Sequence, residues 1–525
     1  MKRRNERGVA LVLALLLTSV MSVLAVSLMF LSQTETYASM NYRMMSQSRF
    51  AGETAMQKAS NFLLDTAQYT PMPGAGADPL TNYVRTGSPV TRTSNGQAVV
   101  LSACDPAKYP ASNYPNAAVQ TAFGTAAAGT MTAGNSRLTY CAYARLLSMQ
   151  QFESYGGGQT VVQTWQITGV GGIAGFSNAT VQTTMVIETP KVAANAYAAF
   201  ATGDTCGSMY FHGNVTINSY DSTYTAAGSS PSMQTYGGNV GTNGNLYIQG
   251  SVAVQGNLST PRTGVGTCTA GSVTALTETG AATVGGSVVQ LPAPVSYPLP
   301  VFSTTPPTNN VTIDTTLLSN AATACSSLGL VLGTNCSVNA ATQTVTVDGH
   351  GADVTLPNVN VASGYKLVFV GHNSPPANVN INSLSGTGEI QVEANMTTTN
   401  NNEAVVLKVA GLNPDGSEMP MPFDLSQMSW KQNTTNHKYD ASTLQIVYGG
   451  SGTINMDGGN SQSAATIYAP NANFILQGTQ DLFGSVLAKT ITNNGNASLH
   501  FDRRLMRDFF VNGHPMASSF SWQRQ

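Results

Sequence analysis

The sequence predicts a mostly β chain headed by one long α-helix, with a small antiparallel sheet behind the helix and then a large β-solenoid. Three observations carry this reading. An apolar run from Val9 to Leu31 continues without proline as far as Asp65. Two alternating stretches, Thr160–Gly169 and Ala179–Glu188, flank the Gly-rich segment 169–175, which is a hairpin signal. From about Cys206 onward, strands of three to five residues recur between Gly-Asn turns, with almost no helical period. A β-sandwich is the alternative for this last part, and it would need longer, evenly spaced strands.

The helix comes first. Lys2, Arg3, Arg4 and Arg7 precede the apolar run, and no further charge appears until Glu35. Residues 9–31, at about 1.5 Å per residue, cover a bilayer core of about 30 Å. The basic flank places the N-terminus in the cytoplasm and the rest of the chain outside. The run is longer than the apolar part of an ordinary cleaved signal, and Ala25-Val26-Ser27 is a poor cleavage site. Beyond it, Tyr37, Met40 or Asn41, Met44, Ser48, Ala51, Ala55 and Phe62 recur at three- to four-residue spacing, an amphipathic stripe. Pro71, Pro73 and Gly74 then end the pattern.

Gly8 followed at once by Val9-Ala10-Leu11-Val12-Leu13-Ala14-Leu15, with Arg49-Phe50-Ala51-Gly52-Glu53-Thr54-Ala55-Met56 further on, resembles type IV pilins and type II secretion pseudopilins. Within them it is most similar to the PilX-type minor pilins. The likeness covers residues 1–65. It implies cleavage by a prepilin peptidase between Gly8 and Val9, leaving the helix on the mature chain. It further implies residence in the inner membrane before assembly, and on a pilus at the cell surface afterwards, with other pilins bound through the helix. Major pilins begin with Phe and carry Glu at the fifth mature position, where this chain has Val9 and Leu13. In the family that carboxylate neutralises a neighbouring subunit's terminal amine inside an apolar filament core, where a bare charge is costly. Leu13 cannot do so, which points to a low-copy priming or tip position. A simple signal anchor is the alternative.

Behind the helix, 66–135 reads as loops and short strands rich in Pro, Gly, Ala and Thr. Val161, Gln163, Trp165 and Ile167 form one face of the first hairpin strand, with Trp165 as a core aromatic. The expected division is a leader at 1–8, the helix at 9–65, a pilin-like headgroup at 66–195, a solenoid at 200–505 with an excursion at about 290–340, and a tail at 506–525. Within the excursion, Pro292, Pro294, Pro298, Pro300, Pro306 and Pro307 interrupt the stack, and 313–336 offers a short helix. Near the end, Tyr468-Ala469-Pro470-Asn471, Phe483-Gly484-Ser485 and His500-Phe501-Asp502 resemble an uncharacterised β-helical surface domain that often follows pilin-like N-termini.

Only 9% of the 525 residues are charged and the formal net charge is −2, which argues against a general nucleic-acid binder. The six cysteines, Cys104, Cys141, Cys206, Cys268, Cys325 and Cys336, contain no CxxC and have no adjacent His at ligand spacing, so a zinc site is not expected. Fifteen disulfide connectivities are open, and pairing in chain order keeps each bridge within one segment.

β-Solenoids include polysaccharide lyases and hydrolases, so a membrane-anchored carbohydrate-active enzyme is the alternative function. Such chemistry needs clustered carboxylates, whereas Asp348, Asp353, Glu389, Glu393, Glu403 and Asp424 are spread without a common period. Asp348-Gly349-His350-Gly351-Ala352-Asp353 is the most catalytic-looking stretch and reads first as a turn. His500 and Asp502 read as a polar pair on the last strand. Asp415, Ser417, Glu418 and Asp424 offer oxygen ligands for Ca²⁺ but lack EF-hand spacing. No cofactor motif occurs. The leading expectation is a non-enzymatic pilus component whose solenoid displays Asn, Thr, Tyr and Gln toward a surface or glycan.

Overall fold

The computed structural model describes residues 6–65, 69, 79–134, 136–153, 159–173, 176–188, 191–224, 229–300, 305–372, 376–394, 403–432, 439–457, 464–479, 481–512 and 516–524. One unit comprises residues 1–152, 159–190 and 512–525, and a second comprises 153–158 and 191–511. In chain order the second is inserted into the first.

In the first unit a single helix, Glu6–Leu64, runs for 59 residues, about 90 Å at 1.5 Å per residue. No proline interrupts it. The amphipathic stripe is buried only from Ser48 onward: Tyr37 and Met40 are exposed, whereas Ala51, Ala55, Ala59 and Phe62 are buried. Ala55, Ala59 and Phe62 pack with Trp165, Ile167, Phe123 and Leu101 in one apolar cluster, and Ala51 packs with Leu138 and Ile173 in another. Val161, Gln163, Trp165 and Ile167 all point inward, the face their alternation predicts.

The sheet order is Val100–Ser102, Ser136–Glu153, Gln159–Ile173, Phe176–Glu188, Met516–Arg524, with Ala128–Ala133 also against Ser136–Glu153. Two boundaries differ from the sequence reading. The hairpin pairs Gly169 with Thr183 and Gly171 with Val181, so these glycines lie inside the strand and not in its turn. Gly171 removes a side chain where the sheet approaches the helix backbone at Ser48 and Gly52. The segment 506–525 is not a tail, because Met516–Arg524 pairs antiparallel with Phe176–Glu188. Its Phe520-Ser521-Trp522-Gln523 alternation is a strand pattern. A further helix, Ala117–Ala126, is capped by Asn116, whose Oδ1 accepts from the Ala118 and Val119 amides.

Apart from Cys336–Asn339 against Thr344–Val347, which is antiparallel, the registers described in the second unit are parallel ladders, unlike the antiparallel sheets of a β-sandwich. Ala199–Ala201, where the chain enters, pairs on one side with Val240–Thr242 and on the other with Val486–Ala488. The first strand therefore lies inside the stack. From it the chain builds outward through Leu258–Thr260 to Val288–Gln290. It restarts at Asn310–Ile313 against Asn358–Val361. From there the ladders return through Ala377–Gly386, Val405–Val409, Leu444–Tyr448 and Ala464–Gln477 to Leu482–Asn493 beside the entry strand. One long apolar cluster fills the interior.

This winding explains the prolines. The two ends of the connection 291–309 are separated by about ten inter-strand steps, or about 48 Å at about 4.8 Å each. A polyproline-type path of about 20 residues covers about 60 Å, while an α-helix would cover only about 30 Å. The segment's described part, up to residue 300, does not merely interrupt the stack but runs along it. Val295 N donates to Asn243 Oδ1 (2.7 Å), Tyr297 meets Phe200 and Tyr468 edge-on, and Tyr468 OH donates to Pro298 O (2.7 Å). Past Asn310–Ile313, the helices Thr315–Leu318 and Ala321–Ser327 bury Leu318, Ala324 and Cys325 over that end, as terminal caps do in stacked folds.

Candidate functional site

Among the described residues, exposed large apolar side chains are concentrated in the first half of the helix. Val9, Leu11, Leu13, Leu16, Val23, Leu28 and Leu31 are each more than half exposed, and the helix is long and apolar enough to cross a membrane. The run is apolar on every side, so no single packing face satisfies it. An environment that surrounds it does, whether lipid or a bundle of similar helices. Three of its polar side chains bond back to the helix: Thr18 Oγ1 donates to Ala14 O (3.0 Å), Ser19 Oγ to Leu16 O (3.1 Å) and Ser22 Oγ to Thr18 O (2.8 Å). Gly8, Val9 and Leu13 all lie on this continuous helix.

The remaining sequence candidates separate into structural groups. The disulfides are Cys104–Cys141, Cys206–Cys268 and Cys325–Cys336. The oxygen set proposed for Ca²⁺ is not pooled. Asp415 Oδ1 accepts from the amide and hydroxyl of Ser417, which hold its carboxyl below the ordinary range. Glu418 accepts from the hydroxyl and amide of Ser451, with the same effect. Asp424 Oδ1 accepts from Ser426 and Asn455. Each carboxylate is thus committed to a different turn. Many side-chain amides of the parallel ladders are also used internally: Asn382 Nδ2 donates to Asn358 Oδ1 (2.6 Å), and Asn245 Nδ2 donates to Thr274 O (3.0 Å). The low charge and high Asn content serve such turn-to-turn bonds as well as any outward surface.

His500 and Asp502 do not form a pair with each other. His500 bridges Asn218 Oδ1 (2.5 Å) and Asp481 Oδ2 (3.1 Å), across the ladder that aligns Asn218 with His500. Asp502 is buried and accepts from the Ser222 and Arg504 amides, near Asp440, which Arg504 Nη1 contacts at 2.6 Å. Burial, with the Asp440 charge adding to it against the Ser222 bonds, pushes the Asp502 carboxyl up to about 6. A folded-state value above the ordinary carboxylate value of about 3.9 means the folded chain binds the extra proton. Its stabilising contribution is therefore complete below about pH 4 and lost as pH rises through about 6, on the order of 2–3 kcal/mol in all. Asp502→Asn should flatten this fall. Melting temperatures of the two proteins should diverge between pH 4 and 7, and parallel curves would refute the assignment.

Residues 7–57 match the family model described as PilX N-terminal. The first part of the long helix is therefore similar to a PilX N-terminus. The match spans Gly8, Val9, Leu13 and the buried stripe as far as Met56, so it includes both the exposed and the sheet-packed halves of the helix. Residues 376–508 match a domain of unknown function, DUF7305. They comprise the returning ladders from Ala377–Gly386 to Leu499–Asp502, which include Tyr468, Gly484 and His500. The chain also aligns with the competence-associated pilin ComZ from Thermus thermophilus, over 91% of this chain and 97% of that one. Identity there is 12% and the TM-score 0.25. No curated protein matches.

Proposed function

We propose that this chain is a PilX-type minor component of a type IV pilus or a related filament. Prepilin peptidase cuts it between Gly8 and Val9 at the cytoplasmic face of the inner membrane. The helix from Val9 to Leu31 is its membrane span before assembly and its packing surface among other pilins afterwards. The observation that supports this best is one uninterrupted helix with two different surfaces. Its first half is apolar all round and exposed, and its second half is packed on an antiparallel sheet.

Leu13 lies where a shaft subunit would carry its amine-neutralising carboxylate, so a priming or tip place suits it better than a repeating one. The parallel ladders read as a β-solenoid, inserted into the pilin-like unit and displayed outward for adhesion or surface contact. Filaments sheared from cells and washed free of membrane should contain the chain at low copy relative to the major pilin. Its confinement to the inner-membrane fraction in piliated cells would refute filament incorporation.

A further inference from the structure

Asp348, His350 and His372 are brought together by the parallel register and by one strained loop. The strand Thr344–Val347 pairs with Lys366–Gly371 so that Val347 lies opposite Phe369. Both chains then leave the sheet at the same edge, Asp348 on one and His372 just beyond the other. His372 is fixed there by backbone bonds with Ala404 in both directions. On the first chain, His350 adopts φ +47° between Gly349 and Gly351, in the left-handed region that few non-glycine residues occupy. Its amide donates to Asp348 Oδ1 (2.9 Å), which turns the loop back on itself.

The result is one carboxylate addressed by two imidazoles. His372 Nε2 lies 2.6 Å from Asp348 Oδ1, and His350 Nδ1 lies 3.4 Å from Oδ2. A ligand atom from each of the three side chains lies within 4.8 Å of the others. Among the described residues this is the one group of three or more such side chains with that spacing. A tetrahedral Zn²⁺ with ligands at about 2.0–2.1 Å needs donor atoms a little over 3 Å apart. Rotation of the His350 ring, whose side chain is 65% exposed, brings its nitrogen into that range, and a bound ion would open the direct 2.6 Å contact between His372 and Asp348 to the same spacing.

We propose that Asp348, His350 and His372 form a binding site for a borderline divalent cation of the Zn²⁺ type. Two imidazole nitrogens and one carboxylate favour Zn²⁺, Co²⁺, Ni²⁺ or Cu²⁺, whereas Ca²⁺ and Mg²⁺ take oxygen ligands. Three protein donors leave a fourth position, and the exposure of His350 turns that position toward solvent, where a water or a donor from another molecule can occupy it. Bound metal would tie the 348–353 loop to the end of the neighbouring strand and relieve none of the parallel pairing beneath it.

The test uses the untagged full-length protein in detergent, titrated with Co²⁺ and with Zn²⁺. One equivalent should bind, with Co²⁺ giving visible d–d absorption that Zn²⁺ abolishes and that excess Ca²⁺ or Mg²⁺ leaves intact. His350→Ala and His372→Ala should each weaken binding by about 10-fold or more. Because His350 is largely exposed, His350→Ala should leave the metal-free melting temperature unchanged, so its effect on binding does not depend on folding. Absence of stoichiometric binding, or full-strength binding in His350→Ala, would overturn the site.

Discussion

Gly171→Ala should separate the long helix from its sheet. A Cβ at Gly171 would lie 2.0 Å from Ser48 O and 2.3 Å from Gly52 N, both of them helix backbone atoms. Neither can move away by rotating a side chain, so the strand or the helix must shift along the whole contact. That contact carries the buried face from Ser48 to Leu63, including Ala51, Ala55 and Phe62. Overpacking of a closely packed core costs about 1–3 kcal/mol, and a backbone-to-backbone clash belongs at or above the upper end. Thermal unfolding followed by tryptophan fluorescence should show an early transition in the variant, reported by Trp165, which packs in the same cluster. An unchanged transition would mean that the helix and sheet are further apart than described.

Gly484→Ala should be as damaging in the inserted unit. Gly484 sits at φ +140°, which side-chain-bearing residues rarely adopt. A Cβ there would meet Ala465 O at 1.9 Å and the Ala441 Cβ at 3.0 Å. Gly484 pairs with Ala465 in the ladder between Ala464–Gln477 and Leu482–Asn493, so both the clash and the strain fall on a central pairing. Backbone strain of this kind costs on the order of 1–3 kcal/mol before the clash is counted. Limited proteolysis should cut the variant within 464–493 under conditions that leave the parent chain whole. Equal resistance would refute the packing around Gly484.

These two glycines show what the sequence could and could not convey. Phe483-Gly484-Ser485 is visible as a motif, but its physical reason, a carbonyl where a side chain would go, exists only once strands 19 residues apart are stacked. Gly169 and Gly171 look like turn residues because glycine is read locally, whereas both lie within the strand and the role of Gly171 is set by a helix more than a hundred residues earlier. The helix itself was legible, since an apolar run without proline depends on nothing distant. The strand Gln159–Ile173 was legible for the same reason, through the alternation from Val161 to Ile167.

Other features were hidden by range or by weak local signal. The helix Ala117–Ala126 buries only Phe123 fully, so no periodic stripe marks it. The return of Met516–Arg524 to the first sheet spans the whole insertion, and no local pattern encodes a partner strand that far away. The prolines of 291–309 signalled a break, yet their path along the stack follows from a chain that starts in the middle of its own ladders. The Asp348 turn was visible, but His372 was not connected to it, because a parallel register across 24 residues brings them together. The Ca²⁺ candidates failed for the opposite reason: nearby serines, at two positions' distance or across one ladder, had already satisfied each carboxylate.

The most direct test of the pilin account is mass spectrometry of the N-terminus of the protein isolated from its native cells. The account predicts a mature chain beginning at Val9, and an uncleaved chain when Gly8 is replaced by a large residue. An intact Met1, or a cut near Ser27, would contradict it.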